Sequence, residues 1–161
     1  MKEFWRANKF WLIVFAIVVV GLAVDLITKA VFYQKHITLI EGVLSIFYTQ
    51  NFGAGWSILS GQTVLLIIFT ALILIGVTIF NIFYKNKSNF YSITMGLLYA
   101  GGLGNLIDRI FFGFVRDFIS LDFISFPIFN FADIFLTFGA ICIVVYLLFF
   151  AGKKKKDNSK K

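Results

Sequence analysis

Residues 115–133 read VRDFISLDFISFPIFNFAD, and they set two acids, Asp117 and Asp133, on either side of a short Phe-rich loop. Asp117 follows an apolar segment that begins near Tyr91, and Asp133 stands at the start of another that runs to Ala151. Two carboxylates thus come together where two apolar helices surface. Carboxylates held close enough to share a proton can activate water, because like charges keep one group protonated while its partner stays ionised.

Outward from that stretch the chain is a membrane protein. Of its 161 residues 60% are hydrophobic and 14% charged, against roughly 45–50% and about 25% in soluble domains. The length accommodates four spans of about 20 residues with their loops and no separate soluble domain, so the expectation is one membrane-embedded domain over residues 1–161. The net charge of +7 raises the question of nucleic acid. Its sources are Lys2, Arg6 and Lys9 at one end and the tail of residues 152–161 at the other, with Lys85 and Lys87 between two spans. Basic ends beside apolar runs report orientation, and no nucleic-acid motif accompanies them. The only cysteine, Cys142, lies in an apolar run, which excludes an internal disulfide and argues against a reactive thiolate.

Spans are expected at about residues 10–32, 63–84, 91–111 and 130–151. The first could also be the core of a cleaved signal peptide, but its apolar character continues past Asp25 to Phe32, long enough to cross a bilayer. Asp25, Thr28 and Lys29 share one face, and Asp25 precedes Lys29 by four, the favourable order for a helical ion pair. A charge pair is costly against lipid, so this face should look into protein or the interface. In residues 33–62 the β-branched and aromatic patches around Gly42 predict a small sheet outside the membrane. His36, the sole histidine, has no companion for a metal site or a Ser-His-Asp triad and reads as a surface residue. The second span carries no charge and one strongly polar residue, Asn81. The third carries Gly96, Ala100 and Gly104 at four-residue spacing, a small-residue stripe for close helix approach in lipid. Asp108 continues that stripe, and with Asn105 and Arg109 it makes a polar cap at the outer end. Residues 113–128, with Arg116, Asp117, Asp122 and the only proline, read as a re-entrant or interfacial connection. Asn130 followed by Asp133 is also what an ordinary helix start looks like.

Basic clusters at both ends and after the second span fall on one side if there are four spans, which places both termini inside. Two outer-surface acids without a Ser/His or Cys/His set favour acid–base hydrolysis of a substrate arriving in the membrane. A proton or ion pathway is the main competitor, although neither internal repeats nor broken midplane helices are evident. A noncatalytic scaffold with the acids as caps is the third reading.

Five separated blocks, in order, carry a resemblance to lipoprotein signal peptidase, the type II signal peptidase family. Residues 25–29, DLITK, are similar to its D-Q-x-[ST]-K, with Leu26 in place of Gln. Residues 51–56, NFGAGW, resemble N-x-G-[AV]-A-[FW], with Gly55 where Ala is usual. Residues 100–109, AGGLGNLIDR, resemble [GA]-G-A-x-G-N-x-x-D-R, with Gly102 at the Ala position. VRDF (115–118) and FNFAD (129–133) match the blocks that bear the family's catalytic aspartates.

The resemblance implies an all-α integral membrane protein of four transmembrane helices, with a small extracytoplasmic β-sheet in the first outer loop. It implies an aspartic endopeptidase of the bacterial cytoplasmic membrane, both termini cytoplasmic, with its active site near the outer face. The implied substrates are diacylglyceryl-modified prolipoproteins, cut on the N-terminal side of the lipidated lipobox cysteine. Asp117 and Asp133 would be the catalytic dyad, with Asp133 the better choice of base because a helix N-terminus favours the anion. Asn51, Gly104, Asn105, Arg109, Asn130, Asp25, Lys29 and Trp56 would bind substrate or support the dyad. Membrane lipid and globomycin-type inhibitors are the further partners implied; no metal, organic cofactor or nucleic acid is. Arg116 replaces a commoner Val beside the first aspartate, and from sequence its side chain has two places to go, toward Asp117 or away.

Overall fold

The computed structural model describes residues 2–54, 58–85 and 87–150, with side chains from residue 8 onward. Trp56, Gly55, the tail of residues 152–161 and the side chains of Lys2 and Arg6 lie outside the described residues. Helix α1 spans Lys2–Val31, strand β1 His36–Ile40, β2 Leu44–Asn51, α2 Thr63–Phe83, α3 Asn89–Phe112, β3 Val115–Leu121 and α4 Phe131–Phe149. Asn8–Val31, α2 and α4 are long and apolar enough to cross a membrane, with mean hydropathies of 2.8, 2.8 and 2.3. Helix α3 has the length, 24 residues, but most of its polar residues turn inward: Ser92, Thr94, Asn105, Asp108 and Arg109 are all buried.

Helix α3 is the central post, packed against each of the other three helices. Small residues on several of its sides make this possible. Toward α1 the match is residue by residue. A Cβ on Gly96 would stand 2.8 Å from the Ile17 Cβ, a Cβ on Gly21 would stand 2.7 Å from the Ala100 Cβ, and one on Gly104 would stand 2.5 Å from the Asp25 Oδ2. One turn further, Lys29 reaches Asp108. Positions 17, 21, 25 and 29 thus meet 96, 100, 104 and 108 in the same order, so α1 and α3 run parallel, with backbones closer than larger residues permit. Toward α4, Gly101 faces the Ala132 carbonyl and Leu136; toward α2, Gly102 faces Leu74. Helix α2 is the outlier, with most of its length exposed, and its Asn81 is fully buried because it binds α3 through the Tyr91 hydroxyl (2.8 Å).

The sheet corrects the expectation in one respect. Among the described residues the first loop supplies β1 and β2, a hairpin closed at Gly42, where φ is 68° and glycine has no steric penalty. The third strand is β3, from the stretch read as a re-entrant or interfacial connection, and it pairs antiparallel with β2. Gly113 makes this possible by ending α3 in the left-handed region (φ 80°), its N–H donating to the Arg109 carbonyl, so the chain turns at once into the strand. Residues 115–118 are buried on both faces, which erases the alternation that marks a strand. The loop that follows folds back onto β3, with the Phe118 and Ile119 N–H groups both donating to the Phe129 carbonyl. His36 is exposed, as expected, with its ring edge-on to Phe47. Cys142 is half-buried rather than enclosed.

Candidate active site

Each carboxylate is delivered by a different device. Asp117 sits third in β3, opposite Thr49, and is 2% exposed. Asp133 is the third residue of α4, held by a capping box. The Asn130 Oδ1 accepts from the Asp133 N–H (3.0 Å), and the Asp133 Oδ2 accepts from the Asn130 N–H (3.2 Å). The helix-start pattern and the candidate site are therefore one structure. The fold-back at Phe129 then brings Asn130 against Asp117.

Three asparagines connect the pair, and in each the amide orientation is dictated by what its oxygen accepts. The Asn130 oxygen is committed to the Asp133 N–H, so its Nδ2 donates to Asp117 Oδ1 (2.6 Å). The Asn51 oxygen accepts from the Gly53 N–H (2.9 Å), so its Nδ2 donates to Asp117 Oδ2 (2.9 Å). The Asn105 oxygen accepts from Lys29 Nζ (3.1 Å) and Asn130 Nδ2 (3.2 Å), so its Nδ2 donates to Asp133 Oδ1 (2.7 Å). An ammonium and a backbone N–H can only donate. The amides are thus locked with their donors aimed at both carboxylates, and each of the four carboxylate oxygens accepts one hydrogen bond.

Burial, and then the charge of Asp133, push the Asp117 carboxyl from 3.8 up to about 7, against the opposing hydrogen bonds of Asn51 and Asn130. At neutral pH Asp117 is therefore poised to hold a proton. Both acids line a cleft of about 550 Å³ with Asn51, Asn105 and Arg109 on its polar side and Phe126, Phe129 and Ile134 among its apolar walls. A second groove of about 370 Å³ shares Asp133 and Arg109 and runs between α2, α3 and α4 along Phe69, Ile73 and Leu136. Arg109 donates to the Gly53 carbonyl (2.7 Å), tying α3 to the strip after β2.

Of the other residues expected at the site, Asp25 and Lys29 are fully buried and face protein. Lys29 Nζ lies 2.7 Å from Asp25 Oδ2, and Asp25 Oδ1 accepts from the Ala132 N–H (2.9 Å), so this pair supports the start of α4. Gly104 leaves the room that Asp25 occupies. Trp56 lies outside the described residues. Asp108, absent from the expected set, joins the same cluster through Lys29 and Arg116. Its signal was present in the four-residue stripe, but it becomes readable only once α1 is known to run alongside. Arg116 turns away from Asp117 and toward Asp108, since neighbours on a strand point to opposite faces.

Apolar helices around a buried polar network, with two carboxylates on one cleft, define a multi-pass membrane protein equipped for acid–base chemistry. Comparison with known proteins gives that class a family. The profile of signal peptidase (SPase) II matches residues 17–149. A lipoprotein signal peptidase of Clostridium acetobutylicum is 36% identical over 146 residues, covering 86% of this chain and 95% of that protein. One of Lactobacillus gasseri is 37% identical, with coverages of 92% and 98%. A bacterial membrane enzyme structure solved by the in meso method at 2.3 Å superposes with a TM-score of 0.79 at 36% identity, over 91% of this chain and 94% of the other. The chain belongs to the signal peptidase II family, the lipoprotein signal peptidases, and is a membrane aspartic protease that cleaves the signal peptides of prolipoproteins.

Proposed function

We propose that Asp117 and Asp133 are the catalytic dyad of this protease, and that its substrates are diacylglyceryl-modified prolipoproteins cut on the N-terminal side of the lipidated cysteine. The observation that carries the dyad is the shared asparagine network, which aims donors at both carboxylates on the wall of one cleft. In this reading Asp133, in the first turn of a helix where the backbone dipole favours an anion, takes a proton from the attacking water. Asp117, protonated near neutrality, donates a hydrogen bond to the scissile carbonyl and later its proton to the leaving amine. Because the two titrate together, the roles belong to the pair. Asn51, Asn105 and Asn130 hold the carboxylates, and Gly104, Asp25 and Lys29 support them from α1 and α3. Arg109 lines both cavities, suited to a substrate carbonyl or ester oxygen.

The second groove, apolar along most of its length, fits acyl chains or the apolar stretch of a signal peptide. Binding energy collected there would position the reacting bond at the dyad. An apolar cyclic peptide inhibitor of the globomycin type would compete for the same two cavities. We further read the chain as one domain over residues 1–161 crossing the bacterial cytoplasmic membrane four times, with both termini cytoplasmic and the cleft near the outer face. Supporting this, α1 and α3 run parallel, as the first and third crossings of such a chain must.

Cleavage of a diacylglyceryl-modified prolipoprotein in detergent tests the dyad. Wild-type protein should release the signal peptide before the lipidated cysteine, and folded Asp117→Asn and Asp133→Asn should each lose roughly 10²–10⁴-fold in rate. Near-normal turnover by either variant removes that residue from the dyad. An inactive wild type with a good substrate removes the substrate assignment.

A further inference from the structure

We propose that Arg116 is a positioning residue for the reaction, acting at a distance by holding the charge of Asp108 so that Lys29 stays on Asn105; this rests on Asp117 and Asp133 being the dyad. Four ionic groups meet beneath the cleft, shielded from solvent: Asp25 and Lys29 from α1, Asp108 from α3 and Arg116 from β3. Two acids and two bases cancel. How the bases are shared decides where the Lys29 ammonium points. Arg116 takes Asp108 almost entirely. Its Nη2 lies 2.7 Å from Oδ1, its Nε 3.3 Å from both oxygens, and its backbone N–H donates to Oδ2 at 2.9 Å. The guanidinium is also stacked over the Phe112 ring, 4.4 Å from the centroid, which fixes the fork in place.

Lys29 is left with Asp25 at 2.7 Å and Asp108 at a looser 3.4 Å, and its remaining donor goes to Asn105 Oδ1 at 3.1 Å. Together with the Asn130 Nδ2 bond at 3.2 Å, that bond holds the Asn105 amide with its Nδ2 on Asp133. Among the described residues, the charged groups that act on Asp133 are Arg109 from α3, Lys29 from α1 and Asp117 from β3; Asp25 and Asp108 lie 2.7 and 3.4 Å from the Lys29 ammonium. Without Arg116, Asp108 is a buried carboxylate with Lys29 as its nearest cation. An unpaired buried charge is far more costly than a lost neutral hydrogen bond, so Lys29 moves onto Asp108 and releases Asn105. The Asn105 oxygen is then held only by Asn130 Nδ2 at 3.2 Å, so its amide is less firmly aimed, and Asp133 is left with a weaker donor and a more distant positive charge.

The test is a pH profile of prolipoprotein cleavage by full-length protein in detergent. Folding is checked by size exclusion and thermal unfolding, with Asp117→Asn and Asp133→Asn run beside it. Arg116→Val should lower kcat/KM roughly 10- to 100-fold through kcat and move the acid limb of the profile up by about one pH unit. Arg116→Val combined with Asp108→Asn removes both the base and the charge it holds. It should fold, return the acid limb to its wild-type position and recover most of the rate. A merely structural arginine predicts lower yield with an unmoved acid limb, and no rescue by the second substitution. An unshifted limb in the folded single variant overturns the inference, as does a double variant that is misfolded or not restored. Activity retained by Asp133→Asn overturns the dyad reading as well, so the two failures are distinguishable.

Discussion

Asp117 holds its proton near neutrality through what surrounds it rather than through its own chemistry. Burial outweighs the two amide donors on its oxygens and pushes it up to about 7 from 3.8. The folded protein therefore binds more protons there than the unfolded chain between about pH 4 and 7, and the carboxyl's contribution to stability falls as pH rises through that window. Asp117→Asn, which cannot ionise, should gain thermal stability relative to wild type as pH goes from 4 to 8, whatever its offset at pH 4. Thermal unfolding in detergent at both pH values checks the sign. In the same range kcat/KM should decline above about pH 7, as the acid member of the pair loses its proton.

At the scale of elements, the small residues of α3 decide how closely the helices approach. A methyl at Gly104 would stand 2.5 Å from Asp25 Oδ2 and 3.1 Å from the Ala132 Cβ, between two walls that also hold the site. Gly104→Ala should cost about 1–3 kcal/mol and reduce activity. Gly76→Ala, in α2 with nothing within 4 Å, should be neutral or stabilising; melting temperatures of the pair measure the contrast. These elements were unequally legible in the sequence. Continuous apolar runs marked where α2 and α4 lie and where α1 ends, although α1 begins at Lys2, eight residues before the expected span, and the stripe at Gly96, Ala100 and Gly104 marked α3. Strand β3 was hidden because residues 115–118 are buried on both sides and its partner, β2, lies far away in sequence. Asp117, Asp133 and the three asparagines were legible as motif residues. Asp108 was not assigned to the site, because its role exists only in the register between two helices.

For the whole molecule, the proposed topology sets Glu41, in the β1–β2 hairpin, and Lys87, between α2 and α3, on opposite sides of the membrane. With Cys142 replaced by Ser, Glu41→Cys should react with an impermeant maleimide in spheroplasts, and Lys87→Cys only after permeabilisation. The reverse pattern would invert the orientation, and equal labelling in intact spheroplasts would remove a crossing between them. The parallel pairing of α1 with α3 also has a consequence in time. Asp108 is added to the growing chain long after Lys29, roughly 4–16 s later at about 5–20 residues per second. During that interval α1 has to reside in lipid without its partner. Asp25 and Lys29, one turn apart and 2.7 Å from each other, leave its C-terminal half without net charge while it waits. The same ion pair that supports the finished site thus serves earlier as a travelling counter-charge for the newborn helix.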